Sequence, residues 1–382
     1  MEKNKIKKQD IIKLIIIFTI IAILNEINFT NKPKTEEKKE KEAVATEELS
    51  LLEKTINNMS LEEKVGQLFV VRYSKEMTSK WTSLNPGGYL LFAKDFENHT
   101  KESIKNELTT LQEKQKYPLL IAVDEEGGYV TRVSRFKAFR DEKFASPRYY
   151  YETGGYELLE ETEKEKAELL TSLGVNLNLA PVADVSTNEN DFINNRTFGR
   201  NATETAELIR HMVQYANKYN IGSCLKHFPG YGNNEDTHTG ISIDNRDYQS
   251  LKDNDFLPFK AGIEENAPCV LVSHNIITSI DSNYPASLSN KVIGELRNLN
   301  YNNVVITDDL AMDAVKNYVE NNEAATLAIN AGNDMIITSD FESMYQELLQ
   351  SIKDKKITEE RLNEAITRVI NWKIRMGLLK EE

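Results

Sequence analysis

The sequence is poor in cysteine and has no excess of positive charge. Its 382 residues include two cysteines, Cys224 and Cys269, which lie in separate apolar segments. Two thiols exclude a disulfide framework and a four-thiolate zinc site, so we expect both to be buried packing residues. The formal net charge of -13 argues against a nucleic-acid partner, because phosphate binding needs clustered Lys and Arg. The 40% of hydrophobic residues is enough for a large folded domain.

The N-terminal region has no apolar run of the roughly 20 residues that a comfortable membrane span needs. Four lysines in residues 1–8 precede an apolar run from Leu14 to Leu24, which is typical of an export signal. The triplet Ala43-Val44-Ala45 lies too far beyond this run for a usual cleavage site, which favours a signal anchor. We expect an exported protein, secreted or anchored on the outer side of the cytoplasmic membrane.

Composition divides the chain into three parts. Residues 1–29 are interpreted as a signal peptide or signal anchor, and residues 30–49, rich in Lys, Glu and Thr, as a charged flexible linker. Residues 50–382 are expected to form a single folded domain. We expect the protein to contact a membrane only through its N-terminal segment and to be a monomer.

From about residue 50, short β-branched apolar runs alternate with amphipathic helical stretches, as in the βα units of a parallel sheet. The eight strand-like runs are residues 65–72, 87–92, 118–125, 175–185, 221–227, 269–275, 303–308 and 334–339. Helical stretches include residues 102–115, 157–173, 202–219, 314–331 and 359–376. An open, doubly wound sheet fits this alternation as well as a barrel does.

Polar groups at the ends of these runs favour the barrel. Most runs end in side chains unsuited to a core, among them Asp124, Asp184, Lys226, His274 and Asp308. All strands of a (β/α)8 barrel open onto one face at their C-terminal ends, so these groups would converge there. We therefore predict an α/β fold, a TIM-like (β/α)8 barrel, with its functional site at that face.

The run that ends at Asp308 delivers two adjacent acids. Neighbouring residues at a strand end point to different sides, so one carboxylate can face a pocket while the other accepts backbone N–H groups. From the residues alone, both acids could equally well be structural caps.

A loop with one proline and three glycines follows Lys226 and His227. Asp236 and His238 stand two residues apart in this loop, so the carboxylate can orient the imidazole and raise its basicity. Such a dyad suits general acid/base catalysis. A rival interpretation is a metal site built from His227, Asp236, His238 and His274, although no familiar zinc spacing is present.

These motifs resemble those of family 3 glycoside hydrolases. The segment Ile306-Thr307-Asp308-Asp309-Leu310-Ala311-Met312 is similar to the family's nucleophile motif, and residues 226–240 resemble the Lys-His-Phe-Pro-Gly motif and catalytic loop of its NagZ-like N-acetylglucosaminidase branch. Similar motifs occur in the expected order over about residues 55–340. Tyr231 and Tyr129 stand where that branch usually has a histidine and an arginine, respectively.

The resemblance implies roles for individual residues. Asp308 is the nucleophile, His238 the acid/base and Asp236 its partner. The implied sugar ligands are Asp124, Arg132, Arg196, Lys226 and His227. Asp309 and Asp184 are expected to be mainly structural, and His274 and Ser287 are weaker matches to family positions.

The implied function is that of a retaining exo-β-N-acetylglucosaminidase, which needs no metal or organic cofactor. A neutral imidazole base does not repel an anion, so phosphorolysis is an alternative, as is β-glucosidase activity on the same site. A carbohydrate-binding surface protein without turnover is an alternative of another class. Peptidoglycan fragments, chitin oligosaccharides and glycoconjugates are all open as the natural substrate.

Overall fold

Eight parallel strands close into a barrel in a computed structural model, which describes residues 51–232, 242–312, 315, 318–319 and 323–381. Strands in this part of the chain are β1 (Phe69–Arg72), β2 (Gly88–Leu91), β3 (Leu120–Val123), β4 (Leu177–Asn178), β5 (Gly222–Phe228), β6 (Ile243–Asp244), β7 (Cys269–Val272), β8 (Ile276–Ile277), β9 (Val304–Asp309) and β10 (Met335–Thr338). The barrel order is β1-β10-β9-β7-β5-β4-β3-β2, and β6 pairs with β8 outside it. The predicted (β/α)8 fold is therefore confirmed.

Helices cover the outside of the barrel. Those described are α1 (Leu61–Gln67), α2 (Lys75–Trp81), α3 (Lys101–Glu113), α4 (Pro147–Ser172), α5 (Ala202–Lys218), α6 (Phe256–Glu264), α7 (Asn290–Asn298), α8 (Ala324–Ala331), α9 (Phe341–Lys353) and α10 (Glu359–Arg375). Short helical turns at Tyr248–Ser250 and Leu251–Asp255 precede α6. No helix among the described residues is both long enough and apolar enough to cross a bilayer.

Several predicted boundaries are wrong for local reasons. Residues 65–67 were expected in the first strand, but they form the last turn of helix α1. This helix begins at a capping box, in which the side chains of Ser60 and Glu63 each accept the other residue's backbone N–H. The strand expected over residues 175–185 is only the two residues of β4. Pro181, three residues after β4, has no backbone N–H to donate to a neighbouring strand, so the strand cannot continue regularly. Helix α4 begins ten residues before the predicted start, because Ser146 accepts the Tyr149 N–H and Pro147 occupies the first turn.

The barrel interior is a closed apolar core below the C-terminal face. Its buried residues come from every barrel strand and from α10, and they include Val70, Leu90, Leu120, Leu177, Leu271, Ile306, Met335, Ile337 and Trp372. Larger apolar clusters lie between the strands and the helices. Because the interior is filled, a substrate at the C-terminal face must bind above the strands and not inside the barrel.

The two cysteines form a disulfide inside this core, so the expectation that they serve only as packing residues is wrong. Cys224 on β5 and Cys269 on β7 stand directly opposite each other in the parallel register, with their Cα atoms 4.4 Å apart. Their 45-residue separation along the chain concealed this proximity. Both are fully buried, as expected.

Candidate active site

A cavity of about 580 Å³ opens at the C-terminal ends of the barrel strands. It combines apolar surface with a dense set of charged groups, and its lining residues are Arg72, Leu90, Phe92, Asp124, Glu126, Val130, Arg132, Leu179, Phe192, Arg196, Lys226, His227, Leu271, Asp308, Asp309, Met312 and Ile337. The volume falls within the range of roughly 300–1,000 Å³ that is common for small-molecule sites.

The structure brings together most of the residues that the sequence analysis selected. Asp308 and all five expected sugar ligands line this one cavity: Asp124, Arg132, Arg196, Lys226 and His227. They come from β5, β9 and the segments after β3 and β4. Asp236 and His238, the expected acid/base dyad, lie outside the described residues, so their roles remain predictions.

The two acids at the end of β9 have different surroundings. The Asp309 carboxylate accepts hydrogen bonds from the backbone N–H groups of Ala311, at 2.9 Å, and Ser339, at 3.1 Å. Burial raises the pKa of Asp309. Asp308 Oδ1 accepts the N–H of Asp309 at 2.8 Å. Asp309 thus links the segment after β9 to the segment after β10. This is a structural role, as expected.

Glu126 is a central charge of the site that the sequence analysis did not select. Its carboxylate accepts two bonds from Arg196, at 2.7 and 3.0 Å, and lies 2.6 Å from Lys226 Nζ. Burial by itself would raise the pKa of Glu126, but the charges and hydrogen bonds of Lys226 and Arg196 outweigh it and lower the pKa to about 2. Glu126 therefore stays ionised and orients two expected sugar ligands.

A signal for Glu126 was present in the sequence. Asp124 and Glu126 are two residues apart after β3, and residues i and i+2 of extended backbone point to the same side. Asp124 also accepts a bond from Lys226 Nζ, at 2.7 Å. Glu125, between them, points away and its carboxylate accepts the backbone N–H groups of Arg132 and Val133, at 2.6 and 2.7 Å. The alternating side-chain directions therefore place Asp124 and Glu126 in the cavity wall and leave Glu125 to hold the following loop.

His227 is held between a carboxylate and a guanidinium. Its Nδ1 lies 2.7 Å from Asp184 Oδ2, and its Nε2 lies 3.2 Å from Arg196 Nη2. Because a guanidinium only donates, Nε2 must accept, which places the ring proton on Nδ1 and directs it to Asp184. The other Asp184 oxygen accepts the N–H of Tyr231 at 2.7 Å. Asp184 thus fixes both the imidazole and the start of the loop, as its expected structural role requires.

Two arginines lie over one phenylalanine in the cavity wall. The guanidinium carbons of Arg72 and Arg132 are 4.2 and 5.0 Å from the centre of the Phe92 ring, so both make cation–π contacts. Arg72 Nη1 donates to Asp95 at 2.6 Å, and Arg132 Nη2 lies 3.6 Å from Asp124. Arg72 was not selected from the sequence, because a lone arginine at a strand end carries no motif.

His274 lies beneath the cavity rather than in its lining. It is fully buried, with Nδ1 2.7 Å from Ser287 Oγ and Nε2 3.1 Å from the Asp309 carbonyl oxygen. It therefore supports the end of β9. Within the described ranges no three His, Cys, Asp or Glu side chains are grouped as metal ligands would be. Two of the four residues of the rival metal site lie outside those ranges.

The cavity chemistry suits a polyhydroxylated ligand. Asp124 offers carboxylate oxygens to hydroxyl donors, while Arg132, Arg196 and Lys226 offer N–H donors from fixed positions. Apolar side chains such as Leu90, Leu271 and Met312 complete the wall and can contact the C–H groups of a ring. Asp308 lines the same wall, and a carboxylate is a group that can attack an anomeric carbon.

The chain resembles known proteins over most of its length. The model of the glycosyl hydrolase family 3 N-terminal domain matches residues 60–372. A protein of Nitrosomonas eutropha named beta-hexosaminidase is 31% identical over 281 residues, which cover 70% of this chain and 77% of that protein. Beta-hexosaminidase A of Pseudoalteromonas piscicida is 28% identical over 319 residues, or 76% of this chain.

Comparison with solved structures also points to family 3. A family 3 β-N-acetylglucosaminidase from Paenibacillus sp. str. FPU-7 superposes with a TM-score of 0.78 at 27% identity, and the match covers 85% of this chain and 64% of that one. The matched region is also only 53% of the Pseudoalteromonas protein. The similarity thus spans the barrel, and those two relatives extend well beyond it.

Proposed function

Because the chain belongs to glycosyl hydrolase family 3, we propose that it is a retaining exo-β-N-acetylglucosaminidase that hydrolyses terminal β-linked N-acetylhexosamine. One observation carries this proposal: Asp308, at the end of β9, lines the same cavity as five polar side chains that can hold a sugar. Relatives named beta-hexosaminidase over the same barrel support the choice of sugar.

In the first step, an oxygen of the Asp308 carboxylate bonds to C1 of the bound sugar as the bond from C1 to the aglycone oxygen breaks. His238, as imidazolium, gives its proton to the departing oxygen, with Asp236 orienting the ring. In the second step, water loses a proton to neutral His238 and attacks C1. The Asp308 carboxylate is released, and the sugar keeps its β configuration because C1 has been inverted twice.

The binding residues divide into donors and acceptors. Asp124 accepts hydrogen bonds from sugar hydroxyls, and Lys226 and Arg196 donate to sugar oxygens from positions that Glu126 sets. Arg132 presents its guanidinium beside Asp124. Because these groups are held before the substrate arrives, little orientational entropy is lost on binding.

Trapping of the glycosyl-enzyme tests the nucleophile. The full chain is incubated with a mechanism-based fluorinated N-acetylglucosaminyl donor, digested and mapped by mass spectrometry. We expect one labelled peptide with the sugar ester on Asp308 and no label in Asp308→Asn. A label on another carboxylate would overturn the assignment. Product analysis with and without phosphate tests the reaction type, since phosphorolysis would give the sugar 1-phosphate.

We propose that the enzyme acts outside the cytoplasmic membrane, on envelope or environmental glycans. Four N-terminal lysines followed by the apolar run Leu14–Leu24 support export. Protease treatment of intact cells that express the full chain tests this location. Degradation of the domain without lysis is expected, and protection until lysis would contradict export.

A further inference from the structure

Large apolar side chains that face solvent are concentrated at the cavity end of the barrel. The exposed ones in the described part of the chain are Tyr129, Tyr149, Phe192, Ile243 and Tyr284. Tyr129, Phe192 and Tyr284 lie in loops that follow strands. Tyr149 lies in the first turn of α4, and Ile243 lies on β6, which follows the barrel strand β5. Four of the five are aromatic. Contiguous exposed apolar surface beside a cavity commonly marks a ligand-binding surface.

Two of these aromatic residues adjoin the cavity. Phe192 lines it, and its side chain is also 43% exposed, so it stands at the mouth. Tyr129 is 73% exposed and directly precedes Val130, which lines the cavity. They follow β3 and β4, which are neighbours in the barrel, and so belong to one sector of the rim.

Tyr129 is presented by a hydrogen-bonded turn. Gly127 and Val130 exchange backbone bonds at 3.1 and 3.4 Å across it, and the N–H of Gly128 donates to the Phe144 carbonyl at 2.9 Å. Gly127 and Gly128 both have positive φ, at 96° and 65°, which allows the tight reversal. The turn thus fixes the backbone on both sides of the exposed Tyr129.

Phe192 is held in a similar way. Its neighbour Asp191 accepts bonds from Ser186 Oγ at 2.7 Å and Asn188 Nδ2 at 2.9 Å, which closes the loop after β4. Its ring lies 6.1 Å from the ring of Tyr231, which in turn lies 5.3 Å from the imidazole of His227. Tyr231 thus links the ring of His227, an expected sugar ligand, to the ring of Phe192 at the cavity mouth.

We propose that Tyr129 and Phe192 form an acceptor platform that binds sugar units on the leaving-group side of the scissile bond. The proposal rests on the proposed function, in which the cavity takes the terminal sugar and the rest of the glycan leaves through the mouth. Aromatic faces pack against the C–H faces of pyranose rings and lose little side-chain freedom on binding. The preferred substrate is therefore a linear β-linked N-acetylglucosamine oligosaccharide of three or more units.

Chain-length dependence tests the platform. The kcat/KM is measured for β-1,4-linked N-acetylglucosamine oligomers of two to five units and for an aryl N-acetylglucosaminide, which offers no acceptor sugars. For the wild-type chain we expect kcat/KM to rise by about tenfold between the dimer and the tetramer, as one or two ring contacts would give. In Tyr129→Ala and in Phe192→Ala, the tetramer-to-dimer ratio should fall to near one.

Matched variants separate ring contact from general damage. Tyr129→Phe should keep the wild-type ratio, because packing needs the ring and not the hydroxyl group. Tyr284→Ala removes an exposed tyrosine of the same face that does not line the cavity, and it should also keep the ratio. A lowered ratio in Tyr284→Ala equal to that in Tyr129→Ala would overturn the assignment to this sector.

The two proposals fail in different ways. Hydrolysis of the aryl substrate with equal kcat/KM for all oligomers would overturn the platform and leave the proposed function standing. Absence of turnover on every substrate would overturn the proposed function, and the platform with it. A fall in kcat/KM of the same factor for all substrates in Tyr129→Ala would also contradict the platform, since it would indicate damage to the cavity itself.

Discussion

Clusters of buried charged side chains lie at both ends of the barrel, and the cluster at the C-terminal ends lines an open cavity. At the C-terminal ends, Glu126 pairs with both Lys226 and Arg196 along the wall of an open cavity. At the N-terminal ends, the fully buried Asp334 lies within 3 Å of three arginines: Arg297, Arg361 and Arg368. Its Oδ2 also accepts the N–H of Val305, at 3.1 Å.

The two clusters differ in how much of their charged side chains a ligand could reach. Asp334 joins α7 and α10 to the start of β10, and its oxygens are occupied on every side by protein donors. In the cavity, Lys226, Arg196 and Asp124 also have protein partners but keep part of their surface toward open space. A buried ion pair is therefore accessible to a ligand here because of the adjoining cavity and not because of its residue types.

Asp308→Asn should have the largest effect, and it should be confined to activity. Without the nucleophile, kcat on an aryl N-acetylglucosaminide is expected to fall by about 10⁴-fold, equivalent to about 5.5 kcal/mol of activation free energy. Thermal unfolding should change little. A variant that retains more than a tenth of the wild-type kcat would show that another group attacks C1.

The same replacement at the opposite end, Asp334→Asn, should act on stability. Removing the carboxylate leaves three arginines without their shared partner, which is expected to lower the free energy of unfolding by about 3–5 kcal/mol. Urea unfolding measures the loss, while kcat/KM of the remaining folded enzyme should stay within about twofold. Glu364→Gln is the control, because this exposed glutamate contacts Arg361 and Arg368 and should cost under about 1 kcal/mol.

Glu126→Gln should affect binding and orientation of the sugar. Lys226 and Arg196 would lose the charge between them, so kcat/KM is expected to fall by about 10- to 100-fold, the equivalent of one or two charged hydrogen bonds. Because the pKa of Glu126 is lowered to about 2, its contribution should not titrate between pH 5 and 9. A loss of kcat/KM that varied over this range would indicate that Glu126 exchanges protons during turnover.

Lys373 should leave activity unchanged and act only through a pH dependence of stability. This fully buried lysine donates to Gln67 Oε1 at 2.6 Å and to the Gly87 carbonyl at 2.8 Å, and burial lowers its pKa to about 7. Between pH 7 and 10.5 the unfolded chain binds this proton and the folded chain releases it. The free energy of unfolding should therefore rise with pH over this window.

Lys373→Met isolates that contribution. Relative to the variant, the wild-type chain should gain up to about 1.4 kcal/mol per pH unit above pH 7, measured by urea unfolding at a series of pH values. Equal pH profiles of unfolding free energy for the two chains would show that Lys373 does not lose its proton in the folded state. Activity is not expected to differ, because Lys373 lies at the end of the barrel away from the cavity.

Much of the fold was predictable because alternation of strand and helix is a local pattern. Each of the eight strand-like runs overlaps a barrel strand, and the strand pattern alone predicted that the acids after β3 and at the end of β9 share one face. Boundaries were less predictable where a local cap competes with an apolar run. Helix α1 takes residues 65–67 from the predicted strand because the Ser60 and Glu63 side chains complete its first turn.

Residues that act through a partner distant in sequence were not predictable. Glu126 gains its role from Arg196, 70 residues away, and Arg72 gains its role from Phe92 and Asp95. The disulfide between Cys224 and Cys269 has the same origin, since only the parallel register of β5 and β7 places the two sulfurs side by side. A sequence pattern shows which residue types are available, not which of them meet.

By itself, the sequence determined the order of strands and helices, the acids and cations at the strand ends, and the family to which their motifs point. These follow from side-chain period and local backbone preference, which act over a few residues. Closure of the barrel decided which strand ends meet, which charges face the cavity and which are enclosed at the other end. That depends on packing between segments far apart in the chain, where burial and pairing set the energy of each charge.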